Sequence, residues 1–433
     1  MAKNLKKTRR EGGNQLPLNA RKVPKQKKTM TLLLSLLVLA SSLLAACSSA
    51  ASTTVLAQQP PIKFLRTVQV TPDDQFLTGS FARINYVPAT NRFAVTFGTK
   101  ASTQPNTSLG AGYAYKEYTL EMQETGKTGL LEWYPNASEA GDSGSCMVNS
   151  TYYHAFVSQR MGDPYGWRLV KYDAASWTRL QERYVNLTEP HEANTDPTVA
   201  YINGQLDVSD QYNASGIWQL GYSSVHYFFT ANLQPMGRII LNDTAHISGS
   251  SIIFVNDVCY LVSASSYPGG LVLMKYDRDW HYLGMKNLTQ QQAHWSQGLV
   301  YDGDHFYLAY LDTHERNSTG FFPVYPNVHL AVFDRDWNLL HDAAITEFVY
   351  GGDKKGGRPW VTLHGNLLYV SYDVDTVNLT TREEEKKWQA YVSIFEISQI
   401  PQGIPWPLVI LGAGIVVAVV AVAATYIFLK RRR

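Results

Sequence analysis

Cysteine is scarce in this chain: 433 residues contain three, Cys47, Cys146 and Cys259. That excludes a disulfide-stapled scaffold, so stability has to come from packing. Long stretches rich in Ala, Glu, Lys and Leu, the kind that build extended helices, are absent from the middle of the chain. Basic charge is also thin there. The formal net charge of +2 is set by the two ends, because residues 1–29 carry ten basic residues against one acidic and Lys430 to Arg433 add four more. Positions 30–429 hold 24 basic and 35 acidic residues, a net of −11. A phosphate-binding surface needs a basic footprint, so nucleic acid is excluded as a partner. The acidity itself requires nothing beyond solubility.

What is present suits strands. Twenty-seven Tyr and ten Trp accompany abundant Thr, Val and Gly, a composition that fits pleated, half-buried surfaces. With 45% hydrophobic residues the chain can bury a sizeable core, and an all-β fold is expected.

Two apolar segments bracket that middle. Residues 1–29 form a basic lead, and the 16-residue run 31–46 follows it with small residues after it, which is the layout of an export signal over 30–47. Met30 is an alternative start. The run ends Leu44-Ala45-Ala46-Cys47, which resembles a lipobox and makes Cys47 a candidate for lipidation. After a linker at 398–406, the 23 residues from Pro407 to Leu429 carry no charge and lead into Lys430 to Arg433. At 1.5 Å per residue such a helix spans a hydrocarbon core of roughly 30 Å, and its basic end stays cytoplasmic. The expected topology is single-pass in the cell membrane, with everything between the two segments outside the cytoplasm.

Glycosylation sequons agree. Asn-x-Ser/Thr occurs at Asn106, Asn136, Asn149, Asn186, Asn213, Asn242, Asn287, Asn317 and Asn378. That is nine of 21 asparagines, where ordinary Ser/Thr usage gives roughly three, and all nine fall between the two segments.

An internal repeat organises the region from 64 to 397, after a linker at 48–63. Leu169 to Trp177 (LVKYDAASW), Leu273 to Trp280 (LMKYDRDW) and Leu330 to Trp337 (LAVFDRDW) each run an alternating strand into an Asp-containing turn and a Trp that can fold back on the sheet. A second element, an apolar strand, an Asn/Gly/Asp turn and an aromatic strand, starts at Thr198, Ser251, Gly298 and Trp360, with less regular copies at Phe81 and Ser143. Six copies at roughly 45–60 residues are the signature of propeller blades. The expected blades begin near Ser80, Asp142, Asp196, Gly249, Ser296 and Arg358. The sixth has only three strands of its own, so Phe64 to Val70 is expected to supply its fourth and close the ring. Cys146 and Cys259 then fall in non-adjacent blades, which disfavours a bridge.

The pattern resembles six-bladed β-propeller repeat proteins. The Tyr/Phe-Asp-Arg-Asp-Trp turns also resemble, faintly, the Asp-box hairpins of sialidase-type propellers, without that motif's Ser and Gly. Such a box marks blade structure, so the resemblance implies fold and not activity.

Propeller ligands meet the loops that lead into inner strands and those that join second to third strands. The first group contains Glu189 to Asp196, Ala245 to Ser248, Ala293 to Ser296 and Asp353 to Arg358, with Asp142 opening its blade. Candidate acid/base residues are Glu192, Asp196 and Asp142, with Arg358 as a rim cation. His191, His246 and His294 leave room for a cation, and no other cofactor is expected. His191, His294, Trp295 and Trp360 are candidate ligand contacts. The ordinary alternatives are surface hydrogen bonding for loop His, turn bonding for Asp and Ser, and packing between blades for the two Trp. A sialidase-like site would draw on Arg160, Arg316 and Arg358 around an anion. The longest second-to-third-strand loops are placed at His314 to Pro326 and Asp375 to Lys387. The sequence therefore points first to a membrane-tethered extracellular propeller that binds a carbohydrate or protein without catalysis. A surface glycoside hydrolase or lyase using mouth carboxylates is the alternative, and a structural envelope glycoprotein a third.

Overall fold

The computed structural model describes residues 61–71, 79–100, 110–135, 137, 143–157, 166–186, 197–212, 223–241, 250–264, 270–289, 293–312, 315–316, 323–324, 326–349, 352–380 and 388–398. The basic lead, the export-like segment with Cys47 and the apolar segment 407–429 lie outside them. Among the described residues no helix is long and apolar enough to cross a membrane.

After β1 (Ile62–Gln69) the chain lays down antiparallel sheets one after another. Blade 1 is β2 (Arg83–Val87), β3 (Arg92–Lys100), β4 (Ala111–Tyr118) and β5 (Glu124–Tyr134). Blade 2 is β6 (Ser143–Val148), β7 (Thr151–Val157), β8 (Gly166–Asp173) and β9 (Thr178–Asn186). Blade 3 follows as β10 (Thr198–Ile202), β11 (Gln205–Tyr212), β12 (Ser223–Phe229) and β13 (Pro235–Leu241). Blade 4 is β14 (Ser251–Val255), β15 (Val258–Ala264), β16 (Leu271–Asp277) and β17 (Tyr282–Asn287). Blade 5 begins with β18 (Ala293–Tyr301) and β19 (Phe306–Asp312). A small hairpin, β20 (Glu315–Arg316) and β21 (Pro323–Val324), then interrupts it before β22 (Asn327–Phe333) and β23 (Leu339–Ala344). Blade 6 has β24 (Lys354–His364), β25 (Leu367–Thr376) and β26 (Gln389–Ile397), and takes β1 as its fourth strand.

The ring closes as the strand count requires. β1 pairs antiparallel with β26 from Ile62 opposite Ile397 to Gln69 opposite Tyr391. The Ser398 N–H donates to the Pro61 carbonyl at 2.9 Å, and the Phe64 and Phe395 rings meet edge-on at 5.6 Å. The first strands of neighbouring blades touch all the way round, including β24 against β2. Gly144 and Gly298 lie in that inner ring, where a Cβ would fall 2.0 Å from the Pro197 carbonyl oxygen and 2.5 Å from the Val361 nitrogen.

Among the described residues, apolar side chains form six buried clusters, one at each seam between adjacent blades. Middle strands between two seams therefore bury both faces, which explains the near-continuous burial of β4, β8 and β19, while the outer strands β13 and β17 stay largely exposed. The seam between blades 1 and 2 adds charge. Buried Glu132 pairs with Arg168 and Arg179 and accepts from the Tyr172 hydroxyl at 2.9 Å, while buried Glu117 accepts from Lys127 at 2.7 Å and from the Trp177 indole at 2.9 Å. Each buried carboxylate is thus both paired and hydrogen-bonded, as burial of a charge demands. Cys146 in β6 and Cys259 in β15 are free thiols.

The turn between third and fourth strands ends in blades 2, 4 and 5 on Trp177, Trp280 and Trp337, at φ of 59°, 64° and 62°. Two further copies appear that lack both the Asp and the Trp. In blades 1 and 3, Met122 and Leu233 take the same left-handed conformation, and Thr119 and Thr230 replace the Asp whose side chain caps the turn. A left-handed non-glycine residue costs energy. Here a β-bulge follows the turn and the side chain repays the cost by packing across the seam. Trp177 stacks on Tyr115 of blade 1 at 4.5 Å, and Trp337 stacks on Phe306 at 4.2 Å and meets Tyr260 of blade 4.

Backbone preference and packing oppose each other at these turns, and urea denaturation can separate them. Trp337→Ala should lose about 3–5 kcal/mol through the cavity. Trp337→Gly should lose about 0.5–1 kcal/mol less, because glycine accepts the positive φ.

Candidate functional site

Topology sorts the connections onto two faces. Those from fourth to first strands and from second to third strands lie at one end of the blades, the loop face; the first-to-second and third-to-fourth turns lie at the other, the turn face. Asp142, His191, Glu192, Asp196, His246 and Arg160 lie outside the described residues, as do Asn106, Asn136, Asn213, Asn242 and Asn317. His294 and Trp295 lie in β18, Arg316 in β20 and Asn186 at the end of β9, where only the backbone is described. Asn149, in the β6–β7 turn, and Asn287, ending β17, are exposed, and Asn378 is half-buried just after β25.

Parts of three expected loops belong to blade strands. β24 already begins at Lys354, because a bulge between Gly357 and Trp360 lets the ladder continue beyond the irregularity. A bulge between His294 and Gly298 extends β18 in the same way, back to Ala293. Asp375 is not in an exposed loop; it sits near the end of β25, fully buried.

At the bulge in β24 the structure assembles a polar and aromatic cluster on the loop face. Arg358 holds φ 37°, next to Gly357, where a Cβ would fall 2.1 Å from Asp373 Oδ1. The Arg358 guanidinium lies 3.9 Å from the Phe81 ring centroid and 4.8 Å from that of Trp388, and Nη1 donates to Asp373 Oδ2 at 3.4 Å. The Phe81 N–H donates to the same oxygen at 2.9 Å. Burial raises the Asp373 carboxyl above its ordinary range, and the Arg358 charge opposes that rise. Arg83 opens β2, buried, with Nη1 donating to the Arg358 carbonyl at 3.2 Å, Nη2 to the Ser143 carbonyl at 3.4 Å, and its plane over Trp360 at 5.1 Å. It thereby ties blades 6, 1 and 2 together. Lys355 sits over Trp388 at 5.2 Å. Of the expected site residues, Arg358 and Trp360 come together here.

Two more polar groups lie within the blades. His226 Nδ1 faces Asp207 Oδ2 at 2.8 Å and its Nε2 faces Ser224 Oγ at 2.9 Å, the connectivity of a nucleophilic triad. All three are buried, and Trp280 packs on the imidazole at 4.8 Å, so no substrate reaches Ser224 and the group braces the seam between blades 3 and 4. In blade 5, His329 lies between Asp342 at 3.2 Å and Asp312 at 3.7 Å, and the Tyr310 hydroxyl donates to Asp342 at 2.6 Å. Among the described residues no group of three His, Cys, Asp or Glu could hold a metal ion. An apolar groove of about 330 Å³ opens elsewhere, on the outer edge between blades 5 and 6, lined by His341, Ala343 and Ile345 against Ile62, Phe64 and Phe395.

Sequence reasoning passed over Arg83, Asp207, Asp312, Asp373 and Trp388. The signal lay in the second strands: an Asp inside or ending an otherwise apolar run, in QLDVSDQY, FYLAYLD and LLYVSYDVD, cannot be buried without a partner.

No family model matches the chain, and no curated protein matches it. Among solved structures, the parainfluenza virus 5 hemagglutinin-neuraminidase ectodomain is similar at 10% identity and a TM-score of 0.49, covering 86% of this chain and 96% of that one. The subtype N10 neuraminidase-like protein of A/little yellow-shouldered bat/Guatemala is similar at 10% identity and 0.45, covering 78% and 100%. The Bacteroides ovatus Xyloglucan PUL GH43B is similar at 10% and 0.41, covering 61% and 58%. At these values the architecture stands on the chain's own strand ladders.

His154, on β7 and buried against Tyr113 of blade 1, gives this region a pH signature. Burial first, and the Arg83 charge second, hold its imidazole down to about 3. The unfolded chain takes up this proton near pH 6.5 and the folded chain only near 3, so folding stability should fall as pH drops between those values. The slope from this residue is about 1.4 kcal/mol per pH unit. Urea unfolding at stepped pH should show that slope removed in His154→Gln; an unchanged slope would assign the dependence elsewhere.

Proposed function

We propose that the chain is a membrane-tethered, extracytoplasmic propeller that binds a carbohydrate or protein ligand at its loop face without catalysis. The observation that carries this reading is the ledge of Trp388, Trp360, Lys355 and Arg358 on the rim of blade 6, where aromatic faces and cationic donors lie side by side. Half-buried indoles offer flat apolar area to a sugar ring or an aromatic side chain, and fixed cations beside them orient a polar ligand. Of these, carbohydrate suits the combination best. Support for the tether comes from the uncharged segment 407–429 with its basic end, and for the outside location from the nine sequons.

A glycoside-acting enzyme has one observation in its favour: burial raises the Asp373 carboxyl, as a general acid requires. Against it, Asp373 is fully buried and engaged by Arg358 and the Phe81 N–H, which leaves no path to a substrate in this structure.

The test uses detergent-solubilised full chain on immobilised neutral and acidic oligosaccharides, alongside aryl glycosides whose cleavage releases a fluorophore. Saturable binding that weakens about tenfold in Trp388→Ala, roughly 1.4 kcal/mol, is expected, with no fluorophore released. Fluorophore release abolished by Asp373→Asn would replace the binding reading with the enzyme. Silence in both assays would leave the structural envelope role.

A further inference from the structure

The strand ladder of blade 6 fixes where the chain leaves the propeller. β25 runs from the turn face to the loop face and β26 runs back, so Ile397 ends at the turn face; its N–H donates to the carbonyl of Asn366, in the β24–β25 turn, at 2.8 Å. β1 starts at the same place, with Ile62 opposite Ile397 and Pro61 bonded to Ser398. Only nine residues, 398–406, separate this point from the uncharged segment that begins at Pro407, and two of them are proline.

Chain length then decides between the two faces. Nine extended residues reach at most about 30 Å. β26 is itself nine residues long, so a return along the blade from the turn face to the loop face takes about 30 Å. A tether that ran back to the loop face would have no length left to reach a bilayer. The edge at the root of the tether also carries the chemistry of a membrane interface: Lys63, Phe64, Leu65 and Arg66 of β1 are consecutive and exposed, Phe64 at 55% and Leu65 at 42%. Apolar side chains flanked by long cationic ones suit the headgroup layer.

We infer that the propeller stands on the bilayer by the turn-face end of blade 6, with the Lys63–Arg66 edge against lipid headgroups and the channel mouth turned away. The inference rests on the tethered reading given above. It gives the rim of Trp388 and Arg358 open access to ligands arriving from outside, and it makes the turn face the side least accessible to them.

The experiment places the full chain, in a Cys47→Ser background, in phosphatidylcholine nanodiscs that contain a small fraction of lipid with a nitroxide on the headgroup. A thiol-reactive dye is attached at Asn366→Cys on the turn face or at Asp353→Cys on the loop face. The two native thiols on strands compete poorly, because burial raises the pKa of Cys146 and of Cys259. Quenching should be about threefold or more stronger at position 366 than at 353, given a blade height of about 30 Å. Insertion of about 20 Gly/Ser residues after Pro405 should bring the two values together. Equal quenching with the native tether, or stronger quenching at 353, overturns the orientation. Co-elution of chain and nanodisc separates the two ideas: without it the tether fails and the orientation with it, whereas co-elution with reversed quenching leaves the tether standing and removes only the orientation.

Discussion

The pairing of β1 with β26 is the contact on which the rest of the molecule depends. Sheets that radiate from an axis bury each blade between two neighbours, and that holds for the first and last blades only if the ring is shut. The eight-residue strand at the start of the fold supplies the outer edge of the last sheet. With it in place, the clusters between blades 5 and 6 and between blades 6 and 1 are complete; Ile62 contributes to the former and Val70, just beyond β1, to the latter.

Much of this architecture was legible in the residues, because the physical demands of a blade are local. An alternating strand, a two-residue turn and an aromatic strand must recur in every sheet, and the Asp-to-Trp turns at 173, 277 and 334 repeat visibly. The copies at Met122 and Leu233 escaped notice because the turn needs a left-handed residue with an apolar side chain and a capping oxygen, and Met or Leu with Thr meets that need without the lettering. The strand deficit in the sixth blade was a matter of counting, which is why Phe64 to Val70 could be assigned from so far away in the chain.

The site was harder to see. Loops draw attention because they carry exposed polar residues, and His191, Glu192 and His246 stood out for that reason. Arg83, Asp373 and Trp388 belong to strand ends or sit beside them, where a charged residue in an apolar run reads as an interruption. What brings them together is the bulge at Gly357, which turns Arg358 onto Phe81 and Trp388 and over the buried carboxylate. A bulge leaves little trace in a sequence beyond a pair of glycines. The Ser224–His226–Asp207 chain carries the opposite lesson: the connectivity of a reactive triad, placed with no access to solvent, serves as a brace.

Closure between residue 62 and residue 397 also has a temporal side. The chain is made from its N-terminus, so the strand formed first must wait for the strand formed last, and until then its ladder edge and Ile62 have no partner. Loop closure over more than three hundred residues costs entropy that only the completed sixth blade returns. Any chain that stops short of Gln389 therefore leaves the ring open at two seams at once, whatever the state of the other blades. Formation of the last strand and closure of the ring thus become a single event.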